Sequence, residues 1–341
     1  MRVHPILRLL AACTLLFSAS AQAFGPHGHQ TVGGIADQLL AGSPTAKSVR
    51  SLLGSNLQLA AVWADCAKGV GQVKAGAPLA YDGSGPYPEC DYYENPASQA
   101  AMEAFVKRNA KSCYSNSSDE SCRHKSYHYT DISPLREAYA PGLAGSSDHD
   151  IVHAVNACIR VLQGQDAPAP FNIRSKKEAL RLLAHYLGDL HQPLHVVSAY
   201  LDPAGQPFDP DQPGLDPKRV AKASTKGGNL ILDRSSKLHG LWDSIPGPLA
   251  VKLLAGEGAS AARLLPATPG PLDGWAQSWA SDTLQAGKPA LSALSFKAQT
   301  PDGRWPASHG PSYSRERSEL QRAQIIKAGA RLAELLRALL P

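Results

Sequence analysis

Apolar residues recur at i, i+3, i+4 and i+7 through most of the chain, the spacing that lines one face of an α-helix. The pattern runs through "QTVGGIADQLL", "NLQLAAVWADCAK", "QAAMEAFVKRNA", "DIVHAVNACIRVLQG", "SKKEALRLLAHYLGDL", "SKLHGLWDSI", "DGWAQSWASDTLQAG" and "SELQRAQIIKAGARLAELLRALL". Ser175, Ser235 and Asp148 stand where N-caps would fall. Alternating stretches are scarce, and "GGNLILD" is the best candidate for a short strand. Pro- and Gly-rich connections at 70–97, 141–147, 200–218 and 264–272 separate the helical stretches. This order predicts an all-α fold: a single mostly helical domain with long functional loops and at most a short β-hairpin.

The first 23 residues read differently. Arg2 and Arg8 supply positive charge, "LLAACTLLFSA" is a short apolar segment, and Ala21-Gln22-Ala23 is an A-x-A cleavage signature. A signal peptide over 1–23 and a mature domain over 24–341 are expected, with a secreted or periplasmic location. Leu10-Ala11-Ala12-Cys13 also resembles a lipoprotein box, which would start the mature chain at Cys13. No later apolar run is long enough to span a bilayer, so no stable membrane association is expected.

Composition is that of a globular protein, 43% hydrophobic and 18% charged. Removing 1–23 takes two arginines and no acids, so 32 basic and 29 acidic residues leave a surplus of +3. That surplus is too small to argue nucleic-acid binding by itself. Cys66, Cys90, Cys113, Cys122 and Cys158 remain, which in an exported chain suggests two disulfides and one thiol. Cys113 and Cys122 flank the polar loop "YSNSSDES" and are the easiest pair, with Cys66–Cys90 as the remaining one. Cys158 lies at helical spacing with Val152 and Val155 and reads as a buried small hydrophobe. Glu89, Asp91 and Glu94 read as a solvated face of the long 66–125 excursion.

The densest chemistry lies in "LLAHYLGDLHQPLHVV", residues 182–197. His185 and Asp189 are four apart, so both project from one helical face, and His195 follows Pro193 on the turn. Titratable groups among Leu182, Leu183, Leu187 and Leu194 are costly unless paired or metal-bound. "KLHGLWDS" repeats the spacing with His239 and Asp243, "VWADCAK" sets Asp65 beside Trp63, and "SYHYTD" offers His128 and Asp131. Imidazole and carboxylate without thiolate is a zinc- or manganese-type ligand set, and this one is too large for a single tetrahedral ion. Multinuclear sites of this kind mostly hydrolyse phosphoesters.

"WAD" (63–65), "HY" (128–129), "HYLGDLHQPLH" (185–195), "GGN" (227–229), "LHGLWD" (238–243) and "AGARLAELL" (328–336) together resemble the S1/P1 nuclease family. The resemblance implies a helical fold of the zinc phospholipase C/P1 nuclease type holding three zinc ions at the base of a cleft. It implies one site from Asp65, His128, His185 and Asp189. A second would take Asp189, His29 and the α-amine and carbonyl of Phe24 once residues 1–23 are removed. A third would take His195, His239 and Asp243. Asp65, Asp189 and Lys68 would serve catalysis, and Lys68, Tyr129, Asp131 and Asn229 the substrate. Tyr129 matches an aromatic that stacks on a base, which requires an unpaired base and hence a single strand.

Two positions depart from the family pattern. Phe24 stands where Trp is usual, which spares backbone ligation. Lys68 stands where Arg is common, keeping the charge and losing the bidentate fork. The implied activity is hydrolysis of single-stranded DNA and RNA to 5′-phosphate products, with 3′-nucleotidase activity as an accompanying expectation. Single-stranded nucleic acid and nucleotides are the implied partners, with no protein partner. A zinc-dependent phospholipase C is the alternative substrate class, and an exported zinc-binding protein without catalysis is the non-enzymatic one. His27, His124, His149, His153 and His309 read as surface or hydrogen-bonded groups, and His191 points away from the metal face.

Overall fold

The computed structural model describes residues 24–341 apart from 73, 75, 83–87 and 111–122. The expected signal segment and the Cys113–Cys122 pair lie outside the described residues. From Phe24 the chain enters α1 (Gly25–Leu40) and then α2 (Pro44–Leu53). Ser43 caps α2 by accepting from the Ala46 N–H at 3.2 Å, and Pro44 suits its first turn.

The 56–68 stretch, whose spacing predicts one helix, forms two short ones, α3 (Leu57–Ala60) and α4 (Trp63–Ala67). The break has a tertiary cause. Asp37 of α1 accepts from the N–H groups of Leu57 and Gln58 at 3.1 and 3.0 Å, pinning the start of α3. The Ala61 carbonyl after it is taken by His185 at 2.7 Å. The small hairpin β1 (Val70–Gly71) and β2 (Ala80–Tyr81) follows. A disulfide joins Cys66 to Cys90, the pair left once Cys113 and Cys122 are matched, and Cys158 is a buried thiol.

Helices α5 (Pro96–Asn109), α6 (Arg123–Ser126), α7 (Ile151–Leu162) and α8 (Lys176–His191) come next. Asp150, not Asp148, caps α7 through Val152 and His153, while Asp148 pairs with His149. Ser175 caps α8 by accepting from Glu178 N at 3.1 Å, and Pro193 stops that helix. From Ala179 to His191 every α8 residue but Arg181 is buried, so this helix is the central rod. Burial of a Leu here contributes about 1.5–3 kcal/mol.

The chain continues through α9 (Pro217–Ala223), β3 (Ile231–Asp233), β4 (Ser236–Lys237), α10 (Leu238–Asp243), α11 (Gly247–Lys252), α12 (Gly258–Ala262), α13 (Trp275–Ser292), β5 (Leu294–Phe296), β6 (Trp305–His309) and α14 (Tyr313–Leu339). Ser235 lies in the β3–β4 turn and does not cap α10. The mostly helical domain is as expected. Its β content exceeds a short hairpin, because β4-β3-β6-β5 form a mixed four-stranded sheet in which β3 and β6 run parallel. Helices α1, α7, α13 and α14 pack around α8. The α1–α14 approach is close: a Cβ on Gly329 would lie 2.6 Å from Ile35 Cγ2. Among the described residues no helix is long and apolar enough to cross a membrane.

Candidate metal centre

Three buried groups each bring ligand atoms within 4.8 Å of one another: His29, Asp65 and His185; His128, His185 and Asp189; and His195, His239 and Asp243. Helix α8 supplies His185 and Asp189, α4 supplies Asp65, and α1 supplies His29. The turn after α8 supplies His195, and α10 supplies His239 and Asp243. The pairs four apart, His185/Asp189 and His239/Asp243, each come together, and His195 joins the second pair. His29 differs: it gathers with Asp65 and His185 as well as facing Asp189.

Glycine makes the His29 approach possible. A Cβ on Gly188 would lie 2.6 Å from His29 Nδ1, so only a bare helix turn admits the ring. His29 stacks on His185 with centroids 3.7 Å apart, and its Nε2 is 3.3 Å from Asp189 Oδ1, outside hydrogen-bond geometry. His185 donates Nδ1–H to the Ala61 carbonyl, which aims Nε2 at Asp189 Oδ2 (3.1 Å) and Asp65 Oδ1 (3.6 Å). His128 Nδ1 lies 2.8 Å from Asp189 Oδ2. Lys68 Nζ reaches Asp65 Oδ1 at 2.6 Å from the partly open side of the cluster.

In the third group, His195 Nδ1 donates to the His128 carbonyl at 2.7 Å and His239 Nδ1 to the Gly227 carbonyl at 2.6 Å. Each Nε2 therefore carries a bare lone pair, and the two face each other at 3.1 Å. Two lone pairs this close repel unless a cation lies between them. Asp243 Oδ2 is 3.4 Å from His239 Nε2 and has no hydrogen bond, while Oδ1 accepts from Gln192 Nε2 at 2.7 Å.

The electrostatics suit cation binding. Burial alone would raise Asp189, but His185, His195 and His128 hold it well below the usual carboxylate range. Burial also opposes ionisation of Asp65, and Lys68 and the imidazoles outweigh it. Burial pushes His128 and His239 down to about 3 and also lowers His29 and His195, so these rings are neutral at neutral pH, the form that can bind a metal. Burial raises Asp243 strongly, the signature of a carboxylate lacking its counter-charge. The unpartnered His29 nitrogens, Asp65 Oδ2, Asp189 Oδ1 and Asp243 Oδ2 fit a hard or borderline divalent ion.

The other expected residues fall as follows. Phe24 is fully buried and folded against Gly28, where a Cβ would lie 2.5 Å from its own Cβ. Gly25 abuts the Asp243 carbonyl, which brings the start of α1 beside the third group. Tyr129 and Asp131 are half-buried and follow His128 directly. Asn229 Nδ2 donates to the Lys226 carbonyl at 3.0 Å, inside a turn. Sequence reasoning passed over Gly227, Ala61 and Gln192, which orient ligands through carbonyls and an amide. Gln192 and Gly227 left a trace, as members of the "HQPLH" and "GGN" motifs, and Ala61 left none.

Fold and site together define a helical protein with three buried His/Asp groups able to hold metal ions. The chain belongs to the S1/P1 nuclease family, whose model matches residues 24–341. That family is one of zinc-dependent nucleases acting as hydrolases. A search of curated proteins finds no match.

Proposed function

We propose that this chain is an exported, secreted or periplasmic phosphodiesterase that binds three zinc ions per chain. It hydrolyses single-stranded DNA and RNA to 5′-phosphate products, with 3′-nucleotidase activity. The observation that carries the proposal is the gathering of His29, Asp65, His128, His185 and Asp189 in two overlapping ligand groups beside a third of His195, His239 and Asp243, more donors than a single ion takes. Asp65, His128, His185 and Asp189 would hold one ion. His29, Asp189 and the Phe24 amine and carbonyl, freed by removal of 1–23, would hold the second, and His195, His239 and Asp243 the third. Bound zinc supplies Lewis-acid stabilisation of phosphoryl charge and activation of water near neutral pH.

The chain's own residues do the rest. Asp189, with one oxygen toward His128 and His185 and the other toward His29, links the first two ligand groups. Lys68, paired with Asp65 and about a quarter exposed, offers a cation to a phosphoryl oxygen at the rim. Tyr129 stacks on an unpaired base, and Asp131 accepts from base amino groups. Asn229 Oδ1 is the acceptor its turn leaves for substrate.

The test compares hydrolysis of single-stranded DNA, RNA, 3′-AMP and phosphatidylcholine by the mature protein, with and without chelator. Cleavage of nucleic acid that chelation abolishes supports the proposal. Hydrolysis of lipid alone would establish the phospholipase reading, and zinc uptake with no hydrolysis would establish the binding-protein one.

A further inference from the structure

Arg181 is the only α8 residue between Ala179 and His191 that is not buried, and it lies one turn before the ligand His185. Its guanidinium carbon sits 5.6 Å from the Trp63 ring centroid and 5.5 Å from that of Tyr93. Among the described residues it has no hydrogen-bonded or ion-paired partner. The guanidinium rests over both rings while its N–H donors stay uncommitted. Lys177, exposed one turn earlier, is close enough to feel the Arg181 charge. Tyr92, on the same short 3₁₀ turn (Pro88–Tyr93) as Tyr93, is 46% exposed.

The nearby acids are mostly engaged. Glu178 binds Arg108 at 2.5 Å, and Glu94 accepts from the Tyr81 hydroxyl at 2.6 Å. Asp91 is exposed and opposes the patch, while exposed Arg174 and Lys176 extend it. A fixed arginine fork, a neighbouring lysine and an open aromatic ring form the combination that grips a single strand: cations on phosphates and a π-face for a base. Lys177 and Arg181 lie on α8 with His185 and Asp189, and Trp63, beneath Arg181, is two residues from Asp65 on α4.

Resting on the nuclease reading above, we propose that Tyr92, Lys177 and Arg181 form a second contact for the substrate strand, outside the metal centre. Arg181 and Lys177 engage phosphates, and Tyr92 stacks on a base without regard to its identity. The contact would favour long single strands over short ones.

The test uses the zinc-loaded protein and a fluorescent phosphorothioate oligothymidylate that resists cleavage. Tyr92→Ala should weaken binding by about five- to a hundredfold, the range that stacking one base supplies. Lys177→Ala should lower the slope of log affinity against log salt by about one. Arg181→Lys keeps the charge and loses the fork, and should also weaken binding. In kinetics, each variant should lower the ratio of kcat/KM on a long oligothymidylate to that on a dinucleotide. Tyr92 and Lys177 are exposed, so unchanged melting of their variants separates this from misfolding. Wild-type affinity, salt slope and length ratio in all three variants would overturn the second contact while leaving the nuclease standing. A wild-type protein that neither binds nor cuts the strand would overturn both.

Discussion

Gly188 of α8 and His29 of α1 meet so closely that a methyl group on the glycine would sit 2.6 Å from the imidazole Nδ1. The contact sets His29 over His185 and within 3.3 Å of Asp189. Gly188→Ala is therefore expected to push His29 out of the cluster. Overpacking of this kind costs about 1–3 kcal/mol. The variant should melt lower and bind one zinc fewer than wild type, as read by elemental analysis. Full zinc content would show that His29 is not a ligand.

Gln192 ties the centre together through several bonds. Its backbone N–H bonds the Gly188 and Asp189 carbonyls, its carbonyl accepts from His195 N, and its amide donates to Asp243. Its Oε1 accepts from Leu194 N at 2.5 Å, which fixes the amide orientation and leaves Nε2 for Asp243. Gln192→Met keeps the bulk and loses both side-chain bonds. Loss of such an outer partner typically weakens metal affinity about 10- to 100-fold. Chelator competition should show one weakened zinc and two unaffected ones. Uniform weakening of all three would mean the residue acts on folding instead.

The centre was partly legible in the sequence, and the reasons are local. His185/Asp189 and His239/Asp243 could be paired because helical spacing alone puts them on one face. The gathering of His29 with Asp65 could not, because it depends on Gly188 and on the break between α3 and α4, where His185 takes the Ala61 carbonyl. Strand β6 escaped notice for a different reason. It contains Pro306, which normally argues against a central strand, yet it pairs with both β3 and β5. The sheet tolerates it because Pro306 uses only its carbonyl, which accepts from Lys297 N at 2.9 Å.

Lys68 lies where its charge can serve the reaction, and its chemistry can be graded. Lys68→Arg restores a bidentate fork and should raise kcat on single-stranded DNA. Lys68→Met should lower it by about 10²-fold, the usual cost of removing one electrostatic donor. A Lys68→Arg variant with unchanged or lower kcat would count against the assigned role.

A pH effect on stability is expected at His153, outside the three ligand groups. The hydrogen bond with Asp150, against the smaller opposing pull of burial, raises His153 above its ordinary value of about 6.5. A raised folded pKa stabilises the fold below the unfolded value, and the gain disappears as pH rises through the folded one. His153→Gln should therefore lower melting more at pH 5.5 than at pH 8.5. Equal losses at both would mean that the protonated ring contributes nothing.

The most direct test of the central claim is zinc stoichiometry of the mature chain, located by anomalous scattering at the zinc edge. Three ions per chain are expected, one beside each ligand group, with Phe24 as the first residue. A protein that cleaves single strands at full rate with the His195, His239 and Asp243 position empty would contradict it.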